Sequence, residues 1–201
     1  SRGLGDVYKR QGLYQEARLQ TIAAISQFEH FEYLYFCIRS QFDIFDGQGQ
    51  ARQREKAIQE VQTALEMMED LQINSLNKEI KKIQNLLPQL FDFLPKAQVM
   101  QYQLEAKWGA IPSYFWIYAW QKQKISRKIK DYAKSQVWVE KSKIALELLQ
   151  EHLGLSNQEF DVLKNTIFRQ LDSIIQSSAL VETINSILRP YMAVSYTHLR
   201  A

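Results

Sequence analysis

Between residues 12 and 192 the chain carries only five glycines and four prolines, against an abundance of Leu, Ile, Gln, Glu, Lys and Ala. Few positions can supply a left-handed turn or a rigid bend, and the summed helix propensity is high. Helices are therefore expected nearly throughout, as an all-α multi-helix bundle of long amphipathic helices. With 201 residues there is enough chain to bury a core. Contents of 46% hydrophobic and 23% charged residues sit close to the globular average and argue against wholesale disorder.

Hydrophobic spacing divides this helical chain into pieces. Over residues 13–42, Ile22, Ile25, Phe28, Phe31, Tyr35, Ile38 and Phe42 recur every three or four positions and predict one apolar face. His30 and Cys37 are seven apart on that helix, but two ligands make no metal site, and a packed histidine and a buried thiol are the simpler reading. The segment DIFDGQGQ, residues 43–50, predicts a loop. It lacks the Lys and Ser/Thr of a phosphate-binding loop. A second amphipathic helix follows from Ala51, with Ala57, Val61, Ala64, Leu65, Met68 and Leu71 inward. A third starts at Asn74 or Ser75, with Leu76, Ile80, Ile83 and Leu87 as its stripe. Pro88 and Pro95 should each kink or restart the chain, leaving QLFDFL as a bend with aromatic packing, and 109–112 should end a helix over 96–107.

Trp108, Tyr114, Phe115, Trp116, Tyr118 and Trp120 form an aromatic cluster, followed by QKQKISRKIKDYAK over 121–134, with six bases and one acid. On one continuous helix Tyr118, Ile125, Ile129 and Tyr132 share an apolar face, while Arg127, Lys130 and Lys134 project oppositely. Aromatics beside bases can stack nucleobases and meet phosphates, but this periodicity favours core packing for the tyrosines. Arg127, Lys128, Lys130 and Lys134 remain as candidate DNA contacts. Further on, Trp138, Ile144, Ala145, Leu148 and Leu149 are expected inward. Gly154 is expected to cap a helix end, and SNQE at 156–159 fits a capping box.

The ends read differently from the middle. SRGLGDVYKRQ and VSYTHLRA resemble translated adaptor sequence, so 1–11 and 194–201 are set aside as non-native flanks. Removing their four bases and one acid from totals of 25 and 22 leaves 21 of each, so the overall pI near 8.8 carries no information about nucleic acid. Cys37 is the only cysteine, which excludes an internal disulfide and a cysteine-rich zinc site and fits a reducing, cytoplasmic setting. The most apolar run, IPSYFWIYAW, is half the ~20 residues a membrane helix needs.

Near the end stands SSALVETINSILRP, residues 177–190, where an acid and a base interrupt a packing pattern. Glu182 and Arg189, seven apart, fall on one helical face two turns apart. With Ser177 or Ser178 as N-cap and Pro190 as stop, Glu182 would lie near the first turn and complement the helix dipole.

The stretch QSSALVETINSILRPYM resembles the segment around the last catalytic glutamate of bacterial insertion-sequence transposases of the D-D-E type. In that superfamily the glutamate sits on a helix of a ribonuclease H-like domain, and a basic residue often follows seven positions later. The region from FDIFDGQGQ through WQKQK is similar to the helical domain that some of these enzymes insert before the glutamate. The resemblance implies a helical insertion domain over 12–176 and a glutamate helix over 177–193.

It also implies that Glu182 is a catalytic ligand to Mg²⁺, with Arg189 contacting DNA or holding Glu182 and Asn185 assisting by hydrogen bonding. In such sites two divalent ions polarise the phosphodiester, activate the nucleophile and stabilise the leaving oxygen. The implied partners are transposon ends and target DNA, with a homo-oligomeric parent. The two partner aspartates have no match, since Asp43 and Asp46 lie in a loop. The chain is therefore expected to be an internal fragment, inactive alone. Two other readings stay open: a helical protein-interaction or scaffold domain, and a nucleic-acid-binding helical module without chemistry.

Overall fold

The structure, a computed structural model, describes residues 2–73, 75–174 and 178–198. The helices are α1 (Arg2–Ser40), α2 (Arg54–Glu69), α3 (Leu76–Leu90), α4 (Leu94–Trp108), α5 (Ala110–Lys128), α6 (Tyr132–Leu153), α7 (Asn157–Asp172) and α8 (Ser178–His198). No strand occurs among the described residues; an isolated antiparallel bridge joins Phe45 and Ala51. The expected all-α class holds. The chain divides into two compact units, one of Ser1–Phe42, Ile58–Pro88 and Ser178–Ala201, the other of Asp43–Ala57 and Gln89–Ser177.

In the first unit the apolar stripe of α1 is buried from Phe28 onward, through Phe31, Leu34, Tyr35 and Ile38. Its earlier part is not: Ile22 is 53% exposed, and Leu13, Tyr14 and Leu19 are exposed as well. α2 buries Val61, Ala64, Leu65 and Met68, and α3 buries Leu76, Ile80, Ile83 and Leu87, as their spacing predicts. Gln27 on α1 donates its side-chain amide to the Leu71 carbonyl after α2. α8 packs against α1 and buries Ile184 and Leu188. Pro88 does not restart the chain. It sits within α3, near the end, where the lost amide donor removes a single bond of the ladder.

In the second unit α5 packs against α4, α6 and α7. Pro95 opens α4 near its first position, where proline costs no hydrogen bond, after a turn that buries Leu90, Phe91 and Phe93. Gly109, at φ +86°, separates α4 from α5. Between α5 and α6 the approach is close because small residues face each other: buried Ser142 donates its hydroxyl to the Ala119 carbonyl at 2.9 Å. Trp116 is fully buried and stacks on Phe160 at 5.2 Å.

α2 begins at Arg54 rather than at the expected Ala51, and residues 43–50 form the expected loop, held by Asp46 Oδ1, which accepts from the backbone N–H groups of Gln48 and Gln50 at 2.8 and 2.9 Å. Gly49 is required there. Its φ is +74°, and a Cβ would come within 3.0 Å of the Tyr114 ring.

Gly154 closes α6 in the left-handed region at φ +63°. Ser156 and Glu159 form the full capping box at the start of α7, which lowers the Glu159 carboxyl below its ordinary value because Ser156 donates to it from hydroxyl and backbone. Two expectations fail on α6. Ile144 and Leu148 are exposed, and the inward positions are Ser142, Ala145, Leu146 and Leu149. Nor is the 121–134 run one helix. α5 ends at Lys128, and Asp131 caps a new helix by accepting from the Lys134 N–H at 3.1 Å. The restart rotates Tyr132 out of the apolar face, and it is 78% exposed.

Candidate functional site

In the first unit the acid and base of α8 stand on its outer side. Ile184 and Leu188 face inward, and Asn185 is fixed by accepting a hydrogen bond from the Tyr35 hydroxyl at 2.9 Å. Tyr191 packs near Phe31 at 6.1 Å and shares a hydrogen bond with the Ser75 hydroxyl at 3.0 Å. These ties orient the helix, leaving Glu182 and Arg189 exposed on the same general face. Glu182 makes no ion pair or hydrogen bond among the described residues.

Two expectations about this helix change. The expected cap at Ser177 lies outside the described residues. Ser178 is the first helical residue, so Glu182 falls beyond the first turn, which holds no acid. Dipole stabilisation fades over that distance and accounts less well for the residue type. Pro190 does not stop the helix, which continues through it to His198. Asn185, implied to assist by hydrogen bonding, has its side-chain oxygen engaged by the Tyr35 hydroxyl.

In the second unit all four sequence-derived DNA candidates, Arg127, Lys128, Lys130 and Lys134, are exposed. The structure does not bring them onto one helix. Arg127 and Lys128 occupy the last turn of α5, where cations complement the dipole in any case; Lys130 lies in the linker; Lys134 is in the first turn of α6.

The sequence reading missed how the other lysines of this unit use its aromatics. Lys124 lies 4.6 Å from the Trp120 ring centroid, and Lys122 lies 4.5 Å from Tyr118 and 5.1 Å from Trp138. Lys141 also sits over Trp138, at 4.7 Å. Each distance is within the range of cation–π attraction. Lys124 borders a shallow cleft of about 160 Å³ lined by Asp43, Phe45, Trp120, Gln121 and Lys128, below the ~300 Å³ at which small-molecule sites begin. Burial lowers the Lys124 amine first and Lys128 adds to this, while Asp172 and Asp43 act the other way. Trp120 donates its indole N–H to Asp172 at 2.8 Å, and Gln121 donates to the Phe45 carbonyl at 3.1 Å.

For Lys122 the effects do not offset. Burial lowers its amine and the neighbouring Lys141 lowers it further. The clue in the sequence was the pairing of Trp138 with Lys141 one helical turn on; the approach of Lys122 from α5 is tertiary.

The chemistry implied for Glu182 needs several oxygen ligands. Among the described residues no three His, Cys, Asp or Glu side chains form a group able to hold a metal ion. The residues present therefore do not fit a Mg²⁺ site by themselves, and the His30 and Cys37 pair gains no further ligand. Among the described residues no helix is long and apolar enough to cross a membrane. Comparison with known protein families, curated proteins and solved structures finds no match for this chain.

Proposed function

We propose that this chain is the helical part of a DNA transposase of the D-D-E type, carrying the last carboxylate of a metal-dependent site whose two aspartates lie elsewhere in a larger parent. One observation supports it most. Glu182 is an exposed acid with no ion pair or hydrogen bond among the described residues, on a helix that buries Ile184 and Leu188 and is tied to α1 by the Tyr35–Asn185 bond, with Arg189 on the same side. A ligand to a shared metal needs carboxylate oxygens not spent on other partners, and a helix positions them better than a loop. The implied ribonuclease H-like setting, Mg²⁺, DNA and oligomeric partners belong to this proposal, as does the cytoplasmic location.

Two measurements test it. The parent gene should encode two strand-borne aspartates before this region, and E182Q in the parent should depress strand transfer by more than ~100-fold, beyond the loss from removing only a supporting hydrogen bond. Thermal stability should not move, because the side chain is exposed. A parent without such aspartates, or DNA cleavage by this chain alone with Mg²⁺, overturns the proposal.

The exposed early part of α1, with Leu13, Tyr14, Leu19 and Ile22 uncovered, favours a second reading as a protein-interaction domain. L19E together with I22E would then abolish co-purification with a partner while leaving the E182Q result unchanged.

A further inference from the structure

Lys122 reaches Trp138 from α5, and Lys141 reaches it from α6, so two ammonium groups share one indole ring. Their distances to the ring place them within about 10 Å of each other, comparable to the ~8–10 Å over which salt screens charge. Neither lysine pairs with a carboxylate among the described residues. Other cations of this unit do: Lys143 forms an ion pair with Glu147 at 3.7 Å and Lys164 with Asp161 at 2.6 Å.

Aromatic contact holds Lys122 and Lys141 in place, yet among the described residues no carboxylate pairs with either to offset their mutual repulsion. Long side chains often lie over aromatic rings merely to cover them. That bland role gives no reason to gather two like charges on one ring.

We propose that Lys122 and Lys141, seated on Trp138, form a phosphate-binding site that grips the phosphodiester backbone of DNA. The ligand class follows from the chemistry. Two compact, multidentate cations suit a tetrahedral oxyanion, and a nucleic-acid strand presents a phosphate every ~3.4 Å of its axis, so neighbouring phosphates can meet both ammonium groups. Exposed Lys134 lies two turns before Lys141 on the same face of α6 and extends the positive surface, which favours a polyanion over a single small ion. The inference rests on the DNA reading above and adds the residues that would hold the backbone. None of them lies near Glu182 in sequence.

The test is binding of a labelled DNA duplex to the full chain over a salt series. K122M/K141M should weaken binding about tenfold at low salt and reduce the slope of log affinity against log salt by about 2. The control K143M/K164M removes the same charge from lysines that are already paired and should leave the slope within about 0.5 of the parent value. K122R/K141R should restore it. An unchanged slope in K122M/K141M, or an equal fall in the control, overturns the proposal.

If the parent chain does not bind the duplex, the DNA reading fails separately. Inorganic phosphate is then titrated while the Trp138 indole N–H resonance is followed. A shift lost in K122M/K141M preserves a phosphate site, and no shift overturns it. Tighter binding of polyglutamate than of the duplex, dependent on the same lysines, would assign the site to an acidic protein and overturn the phosphate assignment.

Discussion

Lys122 and Lys124 are two residues apart on α5, and both lie on aromatic rings, yet their surroundings are opposite in kind. Around Lys124 burial is partly offset by Asp172 and Asp43, and Trp120 beneath it is anchored by its bond to Asp172. Around Lys122 the nearest charge that matters is another lysine. The first region has the make-up of a self-sufficient structural cluster. The second is electrostatically unfinished. A charged aromatic patch thus says little until its counter-charges are counted, because the same cation–π contact is matched by acids in one place and by a second cation in the other.

The contrast between the two lysine sites rests most heavily on Trp120. It is only 3% exposed and meets Phe45 edge-on at 5.9 Å, so W120A should cost about 3–5 kcal/mol and lower the melting temperature sharply. A loss below about 1 kcal/mol would remove the structural role assigned to the Lys124 cluster. Next in size is D172A, which strips the Trp120 indole of its acceptor and should cost about 1–3 kcal/mol in denaturant unfolding.

On the other side of α5 the sign should reverse. K141E would turn repulsion into attraction and raise stability by about 0.2–1 kcal/mol while destroying phosphate binding. Destabilisation beyond the ~1 kcal/mol that loss of the Lys141–Trp138 contact accounts for would mean that an unrecognised acid already serves this pair.

The smallest effect is on pH dependence. Because the Lys122 amine is lowered by burial and by Lys141, the unfolded chain holds that proton more tightly than the folded one. Protonation therefore penalises the fold, and stability should recover as pH rises from the folded-state value toward the ordinary 10.5. K141M should shrink that alkaline recovery relative to the parent chain, with stability near neutral pH changed by no more than about 0.5 kcal/mol.

Much of the helical framework was legible in advance where the deciding physics is local. The Ser156 and Glu159 capping box, the Gly154 cap and the stripes of α2 and α3 all depend on neighbours within four residues. The break before Tyr132 was also written locally, in Asp131, but the apolar spacing of Tyr118, Ile125, Ile129 and Tyr132 imitated a longer helix. On α6 the true inward face follows Ser142, Ala145 and Leu149, since close packing on α5 rewards small side chains over the larger Ile144 and Leu148. The candidate site was half visible. Glu182 and Arg189 share a face by spacing alone, whereas the bond from Tyr35 to Asn185 that leaves them facing outward joins residues 150 positions apart.

Local pattern is enough to fix that this chain is helical, where several of its helices begin and end, and that Glu182 and Arg189 share a face of α8. Those features follow from backbone hydrogen bonding and a repeat of about 3.6 residues, which act over a few positions. That Lys122 and Lys141 meet on Trp138 while Lys124 is matched with acids follows from helix packing alone. Charge balance is set by distance in space, and these partners come from different helices whose packing no local pattern records.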